Sequence, residues 1–207
     1  MTRLERAAMI AVRDCMFAQK GESVLIVTDE GKRNIGYALF NAARKLKCDS
    51  MILEMLPMKS HGAEPPKQVA NLMKQFDVVM APTSKSLSHT KARRAATKAG
   101  VRVATLPGIL QATMSRALNA DYKKIGALSE KLSEYLSKGA AARITTPAGT
   151  DITLSIKGRV GKADTGLVKT PEDFSNLPAG EAYIAPVEGS ANGTLIIDGS
   201  LAELGLL

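Results

Sequence analysis

Ser23-Val24-Leu25-Ile26-Val27-Thr28-Asp29-Glu30-Gly31 (residues 23–31) is an unbroken apolar run followed by a polar turn. A strand with one wet face alternates apolar and polar side chains, and Val24 to Val27 do not alternate. The run therefore reads as a strand buried on both faces, the kind found in parallel sheets covered by helices. Upstream, Leu4, Ala8, Ala11 and Cys15 fall on one face of a helix, and Gly21 ends that pattern. Downstream, Ile35, Leu39, Ala42 and Leu46 again repeat at helical spacing. The unit then recurs, with strands over 50–55, 77–81 and 101–105 and helices over 65–76 and 90–99. Strands alternating with helices imply right-handed crossovers and a parallel sheet. The expected fold is α/β, a parallel doubly wound sheet of flavodoxin- or Rossmann-like arrangement.

Residues 121–138 predict a long helix with Ile125, Leu128, Leu132 and Leu136 on one face. Asp121 at its start and Lys138 at its end complement the helix dipole, and Gly139 stops it. The texture then changes. Residues 143–146 and 151–156 flank Pro147-Ala148-Gly149-Thr150, the signal of an antiparallel hairpin. A second pair, 182–185 and 194–198, is expected around a turn containing Asn192-Gly193. The expected domains are residues 1–139, the α/β domain, and 140–207, a partial antiparallel β-rich domain. A β domain of that size is marginal without disulfides, metal or a partner. The ending Leu204-Gly205-Leu206-Leu207 is apolar, and truncation of a longer second domain is the expectation.

The chain carries 28 basic and 20 acidic residues, a net charge of +8, which permits anion or nucleic-acid binding. Aromatic residues make up only 4% and Trp is absent, so base-stacking platforms are scarce. The sharpest basic cluster, Lys85, Lys91, Arg93, Arg94 and Lys98, reads as the solvated face of one helix. No apolar run approaches the roughly 20 residues of a membrane span, and the N-terminus lacks the apolar stretch of a secretory signal. No nucleic acid and no membrane are expected as partners, and the cytoplasm is the expected compartment. Cys15 and Cys48 are expected as two thiols rather than a disulfide.

In open α/β sheets, ligands gather at the carboxyl ends of the strands. Thr83, Ser84 and Lys85 place two hydroxyls and a cation in one such loop ahead of a helix, a composition that can seat an anion. The same hydroxyls can instead cap the helix and satisfy the loop. No Gly-x-Gly-x-x-Gly follows the first strand, and Walker, Gly-x-Ser-x-Gly and His-Glu-x-x-His motifs are absent. The only imidazoles are His61 and His89. The densest signal lies late, at Asn176-Leu177-Pro178-Ala179-Gly180-Glu181, where a tight turn delivers a carboxylate to the start of a strand. A solvated turn glutamate is the equal alternative.

The stretch NLPAGEAYIAPVEGSANGTLIIDGS (176–200) resembles the signature region of the aminopeptidase T family of metallo-aminopeptidases. Residues 24–46, 77–90 and 142–159 are similar in style, so the resemblance covers nearly the whole chain. It implies a homodimeric exopeptidase that removes N-terminal residues from peptides. A two-metal centre of zinc or cobalt would polarise the substrate carbonyl and activate water. Glu181 carries over as a metal-ligand carboxylate and Glu188 as the second choice. The family's other ligands, a further glutamate and histidines with a His-x-Asp pair, fall in later segments that have no counterpart before residue 207. Little or no activity is therefore expected of these residues alone. The iron-dependent dihydroxypyridine ring-cleaving dioxygenases resemble the same family, and the sequence to residue 207 leaves the two reactions open. A third reading is a non-catalytic module that binds an anion through residues 83–98.

Overall fold

The computed structural model describes residues 1–201 and 205–206. The chain runs through α1 (Arg3–Ile10) and a π-helical continuation (Ala11–Cys15), then β1 (Ser23–Asp29), α2 (Arg33–Lys45), β2 (Asp49–Met55) and α3 (Lys67–Leu72). It continues with β3 (Val78–Ala81), α4 (Lys91–Lys98), β4 (Arg102–Thr105), α5 (Gln111–Ala117) and α6 (Tyr122–Lys138). Short strands follow: β5 (Ala141–Thr145), β6 (Asp151–Ser155), β7 (Lys162–Asp164), β8 (Phe174–Asn176), β9 (Glu181–Tyr183), β10 (Asn192–Thr194), β11 (Ser200–Leu201) and β12 (Gly205–Leu206). Two compact units result, Met1–Gly126 with Asp164–Gly180, and Ala127–Ala163 with Glu181–Leu207.

The first unit is built on a five-stranded sheet of order β2-β1-β3-β4-β8, with every neighbouring pair parallel. The α/β expectation and its flavodoxin-type order are met. β1 is buried from Val24 to Asp29 because helices cover both faces of the sheet. Val24 and Ile26 enter one core with Ala8, Val12 and Leu39; Leu25 and Val27 enter the other with Val69, Met73 and Ala96. Each such side chain contributes about 1.5–3 kcal/mol on burial. The fifth strand, β8, has no sequence signal, because Phe174-Ser175-Asn176 is too short to show a period. Helix α5 was likewise not anticipated.

Local chemistry sets the element ends. Thr2 Oγ1 accepts the Glu5 N–H at 3.1 Å and Glu5 returns the bond to the Thr2 N–H at 2.8 Å, a capping box that starts α1. Gly36 lets α2 lie close to β1, since a Cβ there would sit 2.9 Å from the Thr28 side chain. Asp77, before β3, accepts the Ser23 N–H at 2.8 Å and the Ser23 hydroxyl at 2.7 Å, tying the starts of β1 and β3 together.

In the second unit β5 and β6 form the expected antiparallel hairpin, from Ala141↔Ser155 to Thr145↔Asp151. Arg143 clamps Asp151 with two bonds of 2.8 Å across it. The second expected hairpin does not form. β9 pairs with β7, and β10 pairs antiparallel with β6. Asn192-Gly193 lies within β10 rather than in a turn, and Gly193 at φ +129 is required by close approach: a Cβ would meet Asp151 O at 2.1 Å. An Asn-Gly pair signals a turn only when no other backbone claims its conformational freedom. β11 pairs antiparallel with β12, while Leu204 and Leu207 of the apolar ending lie outside the described residues. Cys15 and Cys48 are free thiols. Among the described residues, no helix is long and apolar enough to cross a membrane.

Two outcomes test this packing. Gly36→Val forces a branched side chain against Thr28 and is expected to cost about 1–3 kcal/mol in urea unfolding. Asp77 is held below the usual carboxylate range, first by the Ser23 N–H and then by the Ser23 hydroxyl. A depressed acid contributes stability above its unfolded value, near pH 4, and loses it as pH falls through the folded value. Asp77→Ala is therefore expected to cost about 1 kcal/mol at pH 7, a modest figure for an exposed carboxylate, with the gap closing as pH falls below the usual carboxylate range.

Candidate functional site

The strand order reverses between β1 and β3, and the crevice at the carboxyl ends of these two strands is where such sheets take ligands. Asp29 closes β1 there with its side chain fully buried. Its carboxylate accepts the Ser84 N–H at 2.5 Å and the Ser84 hydroxyl at 2.8 Å. Gly31 has to be a glycine for this, since a Cβ would lie 2.6 Å from Ser84 Oγ. Thr28 Oγ1 donates to Pro82 O at 3.0 Å, Thr83 Oγ1 to Lys85 O at 2.7 Å, and the Gly108 N–H to Thr83 O at 2.8 Å. Thr83 and Ser84 thus stitch the loop together, with Lys85 half-buried beside them. A shallow cavity of about 390 Å³ opens next to this crevice, lined by residues 30–35 and 109–111. Two of its cations are engaged: Lys32 Nζ donates to Gly108 O at 3.2 Å, and Arg33 grips Glu54 at 2.8 and 2.5 Å.

A second polar cluster lies at the carboxyl ends of β4 and β8. Ser88 and Thr105 are buried, and both hydroxyls donate to Asn176 Oδ1, at 2.9 and 2.6 Å. Ser86 Oγ donates to Ser88 Oγ at 2.9 Å. Arg93 Nε donates to Ser88 O at 2.6 Å, and its guanidinium stacks 4.0 Å over the Phe174 ring. Burial pushes Arg93 below its ordinary value, and the neighbouring Arg94 adds to the shift. Lys91, Arg94 and Lys98 are exposed, as a solvated helix face should be; Arg93 is not. The helical period of α4 alone could not single it out, because the ring it stacks on comes from β8. His61 Nδ1 accepts the Ser86 N–H at 3.2 Å.

In the second unit, Glu181 begins β9 and is exposed. Ahead of it, Gly180 at φ +131 fits against Ile125, whose Cγ2 would be 2.6 Å from a Cβ. Glu188 is ion-paired with Arg159. Its own backbone N–H, and then Arg159, hold its carboxyl below the usual range. Among the described residues, no three His, Cys, Asp or Glu side chains gather closely enough to hold a metal ion. A catalytic metal needs about three protein ligands, so the described residues do not fit a complete centre.

Against this geometry, a sequence model described as 2,5-dihydroxypyridine 5,6-dioxygenase matches residues 8–201. The chain belongs to that family. A solved structure of 2,5-dihydroxypyridine dioxygenase from Pseudomonas putida KT2440 superposes with a TM-score of 0.72 at 17% identity, over 94% of this chain and 59% of that one. Wild-type AmpT from Thermus thermophilus superposes with a TM-score of 0.61 at 15% identity, over 92% of this chain and 63% of that one. The chain therefore spans about three fifths of the length of each. No curated protein matches the sequence.

Assignment to the aminopeptidase T family, with peptide hydrolysis as the reaction, is corrected by these matches; the likeness to AmpT holds for the fold alone. The physical reason lies in the quoted motif. Asn176, Pro178 and Gly180 satisfy strand-end hydroxyls, a cis peptide and a close backbone approach. Those are requirements of this chain's own backbone path and carry no information about which bond is broken.

The Asp29–Ser84 clasp gives a direct test. Asp29→Ala strands the Ser84 N–H without its charged acceptor and is expected to cost about 3 kcal/mol in denaturant unfolding. Faster amide exchange at Ser84 should accompany the loss.

Proposed function

We propose that this protein opens the ring of 2,5-dihydroxypyridine, or of a similarly hydroxylated nitrogen heterocycle, with dioxygen. The match of residues 8–201 to the dioxygenase family carries this reading, because it extends over both compact units rather than over the widely shared α/β sheet alone. A divalent metal belongs to the proposal, with iron as its identity by resemblance to the iron-dependent members; zinc and cobalt are set aside with the peptidase reading. Glu181 is the assigned ligand. It is exposed and makes no ion pair among the described residues, whereas Glu188 is held by Arg159 and stays the second choice. Further ligands would have to come from outside the described residues. Thr83 and Ser84 spend their hydroxyls and the Ser84 N–H on the loop and on Asp29, so the anion seat expected at Thr83, Ser84 and Lys85 is not carried into the proposal. Assembly as a homodimer is part of the same proposal.

The test is oxygen consumption. Protein purified from the full natural reading frame and supplied with ferrous iron and 2,5-dihydroxypyridine is expected to take up one dioxygen per ring lost and to leave leucine p-nitroanilide intact, while residues 1–207 alone are expected to take up little. Glu181→Gln should weaken iron binding by at least about tenfold, since even outer-shell changes cost that much. Hydrolysis of the anilide without oxygen uptake would sink the reading.

A further inference from the structure

The Arg93–Asn176 corner of the first unit carries donors that the fold does not use. Phe174 and Asn176 are two residues apart on β8 and so point to the same face of the strand. Arg93 lies over Phe174, and Ser88 joins the two residues: its carbonyl takes Arg93 Nε and its hydroxyl takes Asn176 Oδ1. These contacts fix both groups. The guanidinium is held by its Nε side and by one ring face, which leaves the Nη1–Nη2 edge with no hydrogen-bond acceptor among the described residues. The Asn176 amide is held by two hydroxyls on its oxygen, which leaves Nδ2 equally without a partner. Neither Arg93 nor Arg94 forms an ion pair among the described residues, and the Glu64 carboxylate at the start of α4 is bonded to the Lys91 and Ala92 N–H groups instead.

We propose that Arg93 and Asn176 form a binding site for the carboxylate of a small organic acid at the carboxyl ends of β4 and β8. A guanidinium edge presents two parallel N–H donors spaced for the two oxygens of a carboxylate, and the Asn176 amide, linked to Arg93 through Ser88, offers a third donor. Ordering of both side chains before the ligand arrives lowers the cost of binding. A phosphate suits the place less well. Its tetrahedral oxygens need donors from several directions, and the nearby N–H groups at the start of α4 are already capped by Thr90 and Glu64. The site does not depend on the ring-opening reading.

The experiment is titration of the full chain with sodium benzoate, followed by calorimetry and by side-chain amide NMR of Asn176. Saturable 1:1 binding that shifts the Asn176 amide is expected. Arg93→Lys keeps the charge but loses the fork and should weaken binding by about tenfold. Asn176→Asp keeps the shape and the two hydroxyl bonds but replaces the donor by an anion, and should weaken it as much. Lys98→Ala should change it less than twofold. Melting curves without benzoate separate these effects from loss of folding, and the Asp variant preserves the local bonds. Absence of saturation, equal loss in Lys98→Ala, or tighter binding of inorganic phosphate than of benzoate would each overturn the proposal.

Discussion

β1 has no face turned to water. Its alternate side chains enter two separate cores, Val24 and Ile26 on one side and Leu25 and Val27 on the other. A strand in that position needs helices on both faces, and a parallel sheet with crossovers is the arrangement that supplies them. The rest of the first unit follows from this constraint. α1 and α2 cover one face, α3 and α4 the other, and Gly36 removes the one side chain that would hold α2 away from Thr28. Asp77 and Ser23 align the strands at one end, and Asp29 with Ser84 at the other.

Burial on both faces is also why this part of the fold was legible in the sequence. Unbroken apolar runs of four or five residues, separated by helical periods, leave few other arrangements. Legibility fails where the determining contact is remote. Phe174-Ser175-Asn176 has no strand pattern of its own and becomes β8 only because β4 offers a free edge. Asn192-Gly193 carries a strong turn signal, yet its glycine serves close approach to Asp151 and the segment pairs with β6. In both places the local sequence states a capacity, and the partner decides how it is used.

The candidate site was legible to a similar degree. Gly180-Glu181 was visible as a rigid mount for a carboxylate because the glycine and proline that make a turn are visible. The reaction was not. The motif encodes how the backbone passes Ile125 and enters β9, a matter of chain path that does not name a reaction. Chemistry is distinguished by the full ligand set, and the described residues contain no such set. Arg93 escaped detection for the opposite reason. Its neighbours Lys91, Arg94 and Lys98 make it look like one more surface cation, and only the return of the chain through Phe174 lays a ring under it and leaves it half-buried.

The closure of the β1–β3 crevice bears on where ligands can go. A sheet of this order ordinarily receives a phosphate or a ring at the reversal point, on loop N–H groups and a helix start. Here the loop N–H of Ser84 is already given to Asp29, and the acceptor is a buried carboxylate. An incoming anion would lose that donor and face a negative charge in a poorly screened place, a combination that costs several kcal/mol. Moving two strands along the sheet changes both terms. At β4 and β8 the buried groups are neutral hydroxyls, the Arg93 guanidinium lies over Phe174, and the unused hydrogen-bonding positions are donors. The same sheet therefore repels anions at its reversal point and attracts them at its far edge, and the difference rests on Asp29 at one place and Arg93 at the other.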